Sequence, residues 1–431
     1  MRARRFERTS SPGRPAPSAA GSVQGGRTRR SQVGIALAGG GPLGGIYEIG
    51  ALAAIADSLE GLDLNDLDVY VGVSSGSFVA AGLANGITPL EMVHMFIESE
   101  DAREPFDPAI LVRPAFREYL SRAATVPPLL LSSLKQLFTR PGSQDLLAAF
   151  QRLSRAIPTG VFNNAEMERF LRRMFSAPGR TNDFRRLGRK LYLVATDLDS
   201  GESVEFGAPG QDTLPISRAV QASAALPGLF PPVRIGGRYY VDGALIKTLH
   251  ASVALKEGAR LVLCINPLVP FSDRTAAKHV GARRLVDGGL PVVLSQTFRA
   301  IIHSRMQAGL AKYEQEFRGK DVILFEPRSD DADMFFTNIF SYAGRRRLCE
   351  HAYQRTRAEI LARRHELAPL LARHGIRLNL RVLRDEALHL VRPSVRSHSL
   401  RSTPALDAAA RLADGLDDLE HWLRVHALKP A

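Results

Sequence analysis

After a polar N-terminal stretch, the apolar positions of the chain follow strand and helix patterns in turn. Gln32–Ala38 is a short apolar run that predicts a buried strand, and a helical pattern follows it through Leu59. Leu67–Val73 predicts a second strand, which precedes a helix of small residues ending at Asn85 and Gly86. Strand, glycine-rich turn, helix, strand, sharp turn and helix in this order are typical of an α/β fold with a mostly parallel sheet.

Later apolar runs predict the remaining elements. Strands are expected at Leu191–Thr196, Ser203–Phe206, Arg238–Val241, Leu261–Ile265 and Val322–Phe325. Residues 219–233 are predicted to form a small-residue helix that breaks into a proline-rich loop. Asn164 is expected to cap a helix whose apolar residues between 167 and 175 share one face.

Composition divides the chain into segments around this α/β pattern. We expect a disordered basic tail at 1–31 and an α/β domain at 32–345. Within this domain, a helical insertion at 101–190 could act as a lid. The domain is expected to be followed by helices at 346–390, a Ser/Arg/Pro linker at 391–404 and an amphipathic helix at 405–431. The chain has 431 residues and is 45% hydrophobic, which excludes a disordered or fibrous protein.

The formal net charge of +13 is unevenly distributed. Residues 1–30 contain eight arginines and one acidic residue, whereas residues 31–100 contain nine acidic residues and no lysine or arginine. A nucleic-acid-binding protein is expected to be basic over its whole binding domain, so we expect no nucleic-acid partner. Basic segments flanking a neutral to acidic core favour transient contact with an anionic membrane surface, and solvated arginine-rich segments are the alternative.

The two cysteines, Cys264 and Cys349, are too few for a disulfide framework or a cysteine-ligated metal site, which predicts a reducing compartment. Val33–Ala56 is the stretch most similar to a transmembrane helix, but glycines and Pro42 interrupt it, so a buried strand, turn and helix are expected there. The arginine-rich start does not have the pattern of a signal peptide. We therefore expect a cytoplasmic protein with peripheral membrane contact.

A candidate nucleophile follows the second predicted strand. Gly72-Val73-Ser74-Ser75-Gly76 matches the pattern G-x-S-x-G. Its glycines permit a tight strand-to-helix turn that exposes the serine hydroxyl above the N-terminus of a helix. Of the serines in this run, Ser74 alone has glycine two residues before and two residues after it.

A glycine-rich run, Gly39–Gly45, follows the first predicted strand. Glycines there would let backbone N–H groups point into a site and stabilise an oxyanion. The alternative is a dinucleotide-binding fingerprint, because the run also satisfies G-x-G-x-x-G. That fingerprint expects an acidic residue where the second strand ends, and Ser74 stands there instead.

Asp242, between a predicted strand and Gly243, is a candidate base. A carboxylate at this position could accept the proton of Ser74, and an Asx turn is the structural alternative. A Ser-His-Asp triad stays open as a different mechanism. Its acid would be Asp197, and its histidine would be one of His94, His250 and His303.

Four sequence blocks in this order resemble the patatin-like phospholipase family: GGGPLGG, GVSSG, ASAALPGLFPP and VDGA. A weaker match is ATDLDSGESVEF, and the resemblance covers about Val33 to His250. It implies an α/β fold of the patatin-like type, a three-layer sandwich with a mostly parallel central sheet. The helical insertion and a helical C-terminal extension would be additions to a catalytic domain at 32–345.

The resemblance also implies a mechanism and its residues. Ser74 would be the nucleophile and Asp242 the base of a Ser–Asp dyad without a histidine. Backbone N–H groups of Gly39, Gly40 and Gly41 would form the oxyanion hole, and Gly72 and Gly76 would shape the nucleophile elbow. Such enzymes cleave acyl esters of lipids through an acyl-enzyme and use no cofactor and no metal at the chemical step. A lipid-binding protein of the same fold without activity, or a nucleotide-binding α/β enzyme, is the alternative.

Two positions depart from the family pattern. Leu43 stands where the glycine block commonly has Arg or Lys, which puts cationic support of the oxyanion loop in doubt. Residues 247–250 (KTLH) replace the Asn-x-Pro-like turn that usually follows the DGA block. The sequence contains no indication of an oligomeric state.

Overall fold

The computed structural model describes residues 32–98, 159–247, 249–271, 289–331, 334 and 341–391. The predicted tail, the insertion up to residue 158, the linker beyond 391 and the terminal helix lie outside these residues. The described strands are β1 (Val33–Leu37), β2 (Leu59–Glu60), β3 (Val69–Val73), β4 (Lys190–Asp197), β5 (Ser203–Phe206), β6 (Val233–Ile235), β7 (Arg238–Asp242), β8 (Leu261–Ile265), β9 (Asp321–Phe325) and β10 (Arg377–Leu378).

Eight of these strands form one sheet with the order β6-β7-β4-β3-β1-β8-β9, and β5 pairs with β4 outside that path. The strands β4, β3, β1, β8 and β9 are parallel to their neighbours in this series. The strands β5, β6 and β7 add antiparallel pairs at one side. The predicted α/β class with a mostly parallel sheet is therefore confirmed.

The helices connect these strands and cover the sheet. They are α1 (Gly41–Ser58), α2 (Ser75–Ala84), α3 (Pro89–Met92), α4 (Ala165–Phe175), α5 (Ile216–Ser223), α6 (Ala251–Lys256), α7 (Gly289–Glu316), α8 (Tyr342–Ala362), α9 (Arg364–Ala372) and α10 (Leu380–Arg384). A π-helical turn, Val93–Glu98, continues α3, and short 3₁₀ helices occupy Phe184–Arg186 and Gly243–Leu245.

Side chains of the central strands alternate between two cores, as the period of a β-strand requires. In β1, Ile35 and Leu37 pack in a core with α1, α2, α4, α5 and α8. Ala36 and the following Ala38 pack in a second core with α6 and α7. All five residues of β1 are buried, because helices cover the sheet on both faces and leave no polar side to the strand. The described part of the domain therefore has three layers.

Most element predictions agree with the structure to within two residues. The exceptions are α5, which begins at Ile216, three residues before the predicted helix, and β6, which forms directly after Pro231 and Pro232, where only a loop was expected. Asn164 does precede α4, but its side chain does not cap the helix. It exchanges hydrogen bonds with Gln221 instead, with Asn164 Oδ1 accepting from Gln221 Nε2 at 2.8 Å.

Within the described ranges, none of the helices combines the length and the apolar composition that crossing a bilayer requires. The longest described helix, α7, has 28 residues. It contains charged residues such as Arg299 and Arg305, and its buried side chains face the second core.

Candidate functional site

Ser74 occupies a strained turn between β3 and α2. Its backbone has φ 53° and ψ −124°, and among the described residues other than glycine no second one has a positive φ. Such a conformation costs on the order of 1–3 kcal/mol and must be held by its surroundings. The turn requires glycine on both sides of Ser74, because any larger residue there would clash with the backbone. A Cβ on Gly72 would lie 2.5 Å from the Gly76 carbonyl oxygen, and a Cβ on Gly76 would lie 2.5 Å from the Leu37 carbonyl oxygen.

The hydroxyl of Ser223, the last residue of α5, supports this turn through hydrogen bonds. The Ser74 N–H donates to Ser223 Oγ at 2.9 Å, and Ser223 Oγ in turn donates to the Val194 carbonyl at 2.6 Å. Ser77 Oγ donates to the Ser74 carbonyl at 2.5 Å. Both backbone polar groups of Ser74 are thus satisfied by side chains, which fixes the residue in its unusual conformation.

Asp242 is the last residue of β7, and only 1% of it is exposed. Its backbone is held on both sides, because its N–H donates to the Ala225 carbonyl at 3.0 Å and its carbonyl accepts from Thr196 Oγ1 at 3.1 Å. One carboxylate oxygen accepts from the Ala244 N–H at 2.9 Å, which is the Asx turn expected from the sequence. The Ser74 side chain interacts with the same carboxylate and lowers its pKa.

Burial dominates the electrostatics of this pair. It raises the pKa of the Asp242 carboxyl to about 6, although Ser74 and the hydrogen bond from the Ala244 N–H oppose the rise. The carboxylate is therefore ionised above pH 6 while it lies almost out of contact with water. An ionised, dehydrated carboxylate is a stronger proton acceptor than a solvated one, so the arrangement can draw a proton from a serine hydroxyl.

The glycine-rich run lies against Ser74. A Cβ on Gly39 would lie 2.8 Å from Ser74 Cβ, and one on Gly40 would lie 2.7 Å from Pro267 Cγ. The first hydrogen bond of α1 runs from the Gly44 N–H to the Gly40 carbonyl at 3.0 Å. The N–H groups of Gly40 and Gly41 precede it and have no partner within the helix, so they can donate to a ligand at the helix start.

A buried arginine binds the segment that packs on this glycine run. Arg299 of α7 is 6% exposed, and its Nη1 lies 3.3 Å from the Pro267 carbonyl oxygen and 3.4 Å from that of Val269. Burial lowers the pKa of Arg299 to about 10, so its guanidinium is charged at neutral pH. Leu43, by contrast, packs against the first core. A buried cation from a helix distant in sequence thus binds the segment whose Pro267 packs on the glycine run.

The residues of the alternative triad have other partners. His94 Nδ1 lies 3.0 Å from Glu98 Oε2, and His303 Nε2 lies 3.0 Å from Gln307 Nε2. Asp197 accepts hydrogen bonds from Arg238 Nη1 at 2.7 Å and from the backbone of the following turn, and the hydrogen bond from Arg238 lowers its pKa.

His250, the third candidate, precedes α6 and is 4% exposed. Burial, with a smaller effect of Lys247, lowers its pKa to about 3. An imidazole with so low a pKa is a poor proton acceptor, so His250 is not favoured as the base for Ser74.

Several residues that position the site were not predicted from the sequence. Ser223 lies inside the ASAALPG block, yet its hydrogen-bond partner Ser74 is 149 positions away. Thr196 is similarly joined to Asp242 across 46 positions. Pro267, which packs on the glycine run, follows β8. The only indication of this contact in the sequence was a proline after a buried apolar run.

Similar proteins support the relationship suggested by the sequence blocks. An uncharacterised NTE family protein of Mycobacterium tuberculosis is 26% identical over 238 residues, which are 54% of this chain and 30% of that protein. A probable lipid hydrolase of Invertebrate iridescent virus 6 is 19% identical over 219 residues, which are 50% of this chain and 61% of that protein. The chain thus spans less than two thirds of the length of these relatives.

Among solved structures, VipD from Legionella pneumophila matches 76% of this chain and 66% of its own, with a TM-score of 0.35 and 16% identity. The type III effector ExoU matches 76% of this chain and 52% of its own, with a TM-score of 0.31 and 16% identity. The family model described as patatin-like phospholipase matches residues 35–255, a range that contains Ser74, Asp242 and the whole glycine-rich run. Since that range is more than half of the chain, this protein belongs to the patatin-like phospholipase family.

Proposed function

We propose that the protein is a serine acyl hydrolase that cleaves carboxylic ester bonds of phospholipids or related acyl lipids. The observation that carries the proposal is the interaction between Ser74, in its strained turn, and the buried carboxylate of Asp242, whose pKa Ser74 lowers. Membership of the patatin-like phospholipase family supports lipid esters as the substrate class, and so does the viral relative named as a probable lipid hydrolase.

In the first half-reaction, Ser74 Oγ bonds to the carbonyl carbon of the ester while its proton passes to Asp242. The carbonyl oxygen becomes an oxyanion and accepts hydrogen bonds from the N–H groups of Gly40 and Gly41. The bond between the carbonyl carbon and the alcohol oxygen then breaks. The departing alcohol takes the proton from Asp242, and the acyl group stays on Ser74.

In the second half-reaction, water replaces the alcohol. Its oxygen bonds to the acyl carbon as Asp242 accepts its proton, and the same N–H groups stabilise the second oxyanion. The bond to Ser74 Oγ breaks, Asp242 returns the proton to that oxygen, and the free fatty acid leaves. Proton and electron pairs balance with one ester and one water consumed, so the chain's own groups suffice for the cycle.

A fluorophosphonate probe tests the proposal directly, because it forms a covalent adduct only with an activated serine. We expect mass spectrometry to map the adduct to Ser74. Ser74→Ala and Asp242→Asn should both lose labelling and lower the rate of ester hydrolysis by about 10³-fold or more.

The adjacent Ser75 offers a matched control, since its hydroxyl is buried without a hydrogen-bond partner among the described residues. Ser75→Ala should keep both labelling and hydrolysis. An adduct on a different serine, or full activity in either dyad variant, would refute the proposed chemistry.

A further inference from the structure

Pro267 connects the glycine-rich run to the segment that follows β8. A Cβ on Gly40 would lie 2.7 Å from Pro267 Cγ, and a Cβ on Gly44 would lie 2.9 Å from the same atom. Both distances are shorter than real Cβ atoms allow, so glycine at these two positions lets the proline ring reach the backbone where α1 begins. The ring therefore limits the movement of the peptide groups that would bind an oxyanion.

The same proline is held on its other side by Arg299 of α7. Proline has no N–H, so its own backbone cannot donate a hydrogen bond that would fix it. Its carbonyl accepts one instead, since Arg299 Nη1 lies 3.3 Å from the Pro267 carbonyl oxygen and 3.4 Å from that of Val269. One guanidinium thus joins two carbonyl groups of this segment to α7.

Arg299 reaches the segment from the interior of the protein. It is 6% exposed, and Val269, one of its two partners, is 4% exposed. Burial lowers the pKa of Arg299 to about 10, so the guanidinium keeps its charge at neutral pH. Hydrogen bonds from a charged donor are stronger than those from a neutral one, and a buried carbonyl that loses its donor is costly. We therefore expect the loss of Arg299 to release the segment that contains Pro267.

We propose that Arg299 is a positioning residue of the oxyanion hole, acting through Pro267 on the N–H groups of Gly40 and Gly41. The inference rests on the proposed hydrolase function and adds to it a residue that acts through the backbone of the glycine run. Oxyanion donors must lie about 2.7–3.1 Å from the oxyanion, and a misplacement of about 1 Å can lower a rate 10²-fold. Such a contact affects the transition state more than the bound ester, whose carbonyl oxygen carries less charge.

The test uses an inhibitor that forms an oxyanion, an alkyl trifluoromethyl ketone. Ser74 Oγ bonds reversibly to its carbonyl carbon, the serine proton passes to Asp242, and the carbonyl oxygen becomes an oxyanion in the same hole. Arg299→Met should raise the inhibition constant of the ketone and lower kcat for a soluble ester, each by about tenfold, while KM changes by less than about twofold. Arg299→Lys retains a charged donor and should recover most of both losses.

Arg357 offers a matched control, because it is also a buried arginine that binds carbonyl groups. It lies on α8, is 3% exposed, and donates to the Asp385 carbonyl at 2.6 Å and to the Leu388 carbonyl at 3.1 Å. Arg357→Met should lower the melting temperature as Arg299→Met does, but it should leave kcat and the inhibition constant of the ketone unchanged. An equal effect of the two variants on these constants would assign the loss to general instability and overturn the inference.

Pro267→Ala tests the route by which Arg299 acts. If Arg299 acts through the proline ring, adding Arg299→Met to Pro267→Ala should lower kcat by no more than about a further twofold. Full additivity of the two substitutions would contradict this route.

Unchanged constants in Arg299→Met, with Ser74 still labelled by the fluorophosphonate, would overturn the inference and leave the hydrolase proposal intact. If neither the ketone nor the fluorophosphonate reacts with Ser74 of the unmodified protein, the hydrolase proposal fails, and the role of Arg299 fails with it.

Discussion

As the proposed base, Asp242 must satisfy two opposing requirements. Burial makes its carboxylate a better proton acceptor for Ser74, but the same burial favours the protonated form that cannot accept a proton. Ser74 and the hydrogen bond from the Ala244 N–H stabilise the ionised form and limit the rise of its pKa. The result, a pKa of about 6, leaves the carboxylate ionised at neutral pH with little margin.

We therefore expect kcat to fall as the pH is lowered through about 6, because protonated Asp242 cannot take the proton of Ser74. Protonation of Asp242 affects stability in the opposite direction, because it stabilises the folded protein. The folded-state pKa lies above the ordinary value of 3.8, so protonation favours folding, and that contribution is lost as the pH rises through about 6. Asp242→Asn should thus abolish activity and raise the free energy of unfolding at pH 7.5 by on the order of 2 kcal/mol.

A pH series of initial rates with a soluble ester and urea unfolding at pH 7.5 would measure both effects. Asp199→Asn is a suitable control, because Asp199 is exposed and its substitution should change neither quantity. A rate that stays constant down to pH 4.5, or an Asp242→Asn variant that is clearly less stable, would contradict the assignment of Asp242 as a buried base.

At the scale of elements, α5 connects the sheet to the turn that contains Ser74, the proposed nucleophile. Its last residue, Ser223, joins the carbonyl of Val194 in β4 to the N–H of Ser74 after β3. Its first turn carries Ser217, whose Oγ donates to Glu168 Oε1 of α4 at 2.8 Å. One helix therefore holds two buried serines with comparable hydrogen bonding, of which only Ser223 contacts the proposed site.

Ser223→Ala should lower kcat by about tenfold or more, since it leaves the Ser74 N–H without its acceptor and releases the strained turn. Ser217→Ala is the matched control, because it also removes a buried hydroxyl from α5 and should cost a similar 1–3 kcal/mol of stability. Steady-state kinetics together with thermal unfolding would separate the effect of each variant on kcat from its effect on stability. Equal loss of kcat in both variants would show that general loosening of α5, not the support of Ser74, determines the rate.

The elements around the site could be predicted because their signals are local. β3, the G-x-S-x-G turn and α2 are contiguous, so the apolar run and its glycines indicated them directly. Elements defined by distant pairing could not be found in this way: β2 and β10 have two residues each and exist only because they pair with each other. Pro267 packs on the glycine run, and Arg299 of α7 binds the Pro267 carbonyl. Both contacts join segments that are distant in sequence, so no local pattern predicts them.

At the scale of the whole molecule, the topology of the sheet explains why these separate blocks form one site. The glycine run follows β1, Ser74 follows β3 and Pro267 follows β8, and these three strands are parallel neighbours. Carboxyl ends of parallel strands meet at one edge of a sheet, where open α/β proteins bind their ligands. The order of the sequence blocks thus indicated a common site, although the distances within it required the structure.

Charge distribution over the whole chain leads to a last prediction, on membrane contact. Residues 1–30 carry eight arginines against one acidic residue, whereas residues 31–100 are acidic, so the positive charge is concentrated away from the segment that contains Ser74. We expect the full chain to bind vesicles with anionic lipids and to dissociate as salt rises from 0.05 to 1 M, where the Debye length falls to about 3 Å. Sedimentation with the Ser74→Ala variant would measure binding without hydrolysis, and vesicles of neutral phosphatidylcholine are the control. Binding that is indifferent to both salt and lipid charge would show that apolar contacts, not the basic segments, bring the protein to a lipid surface.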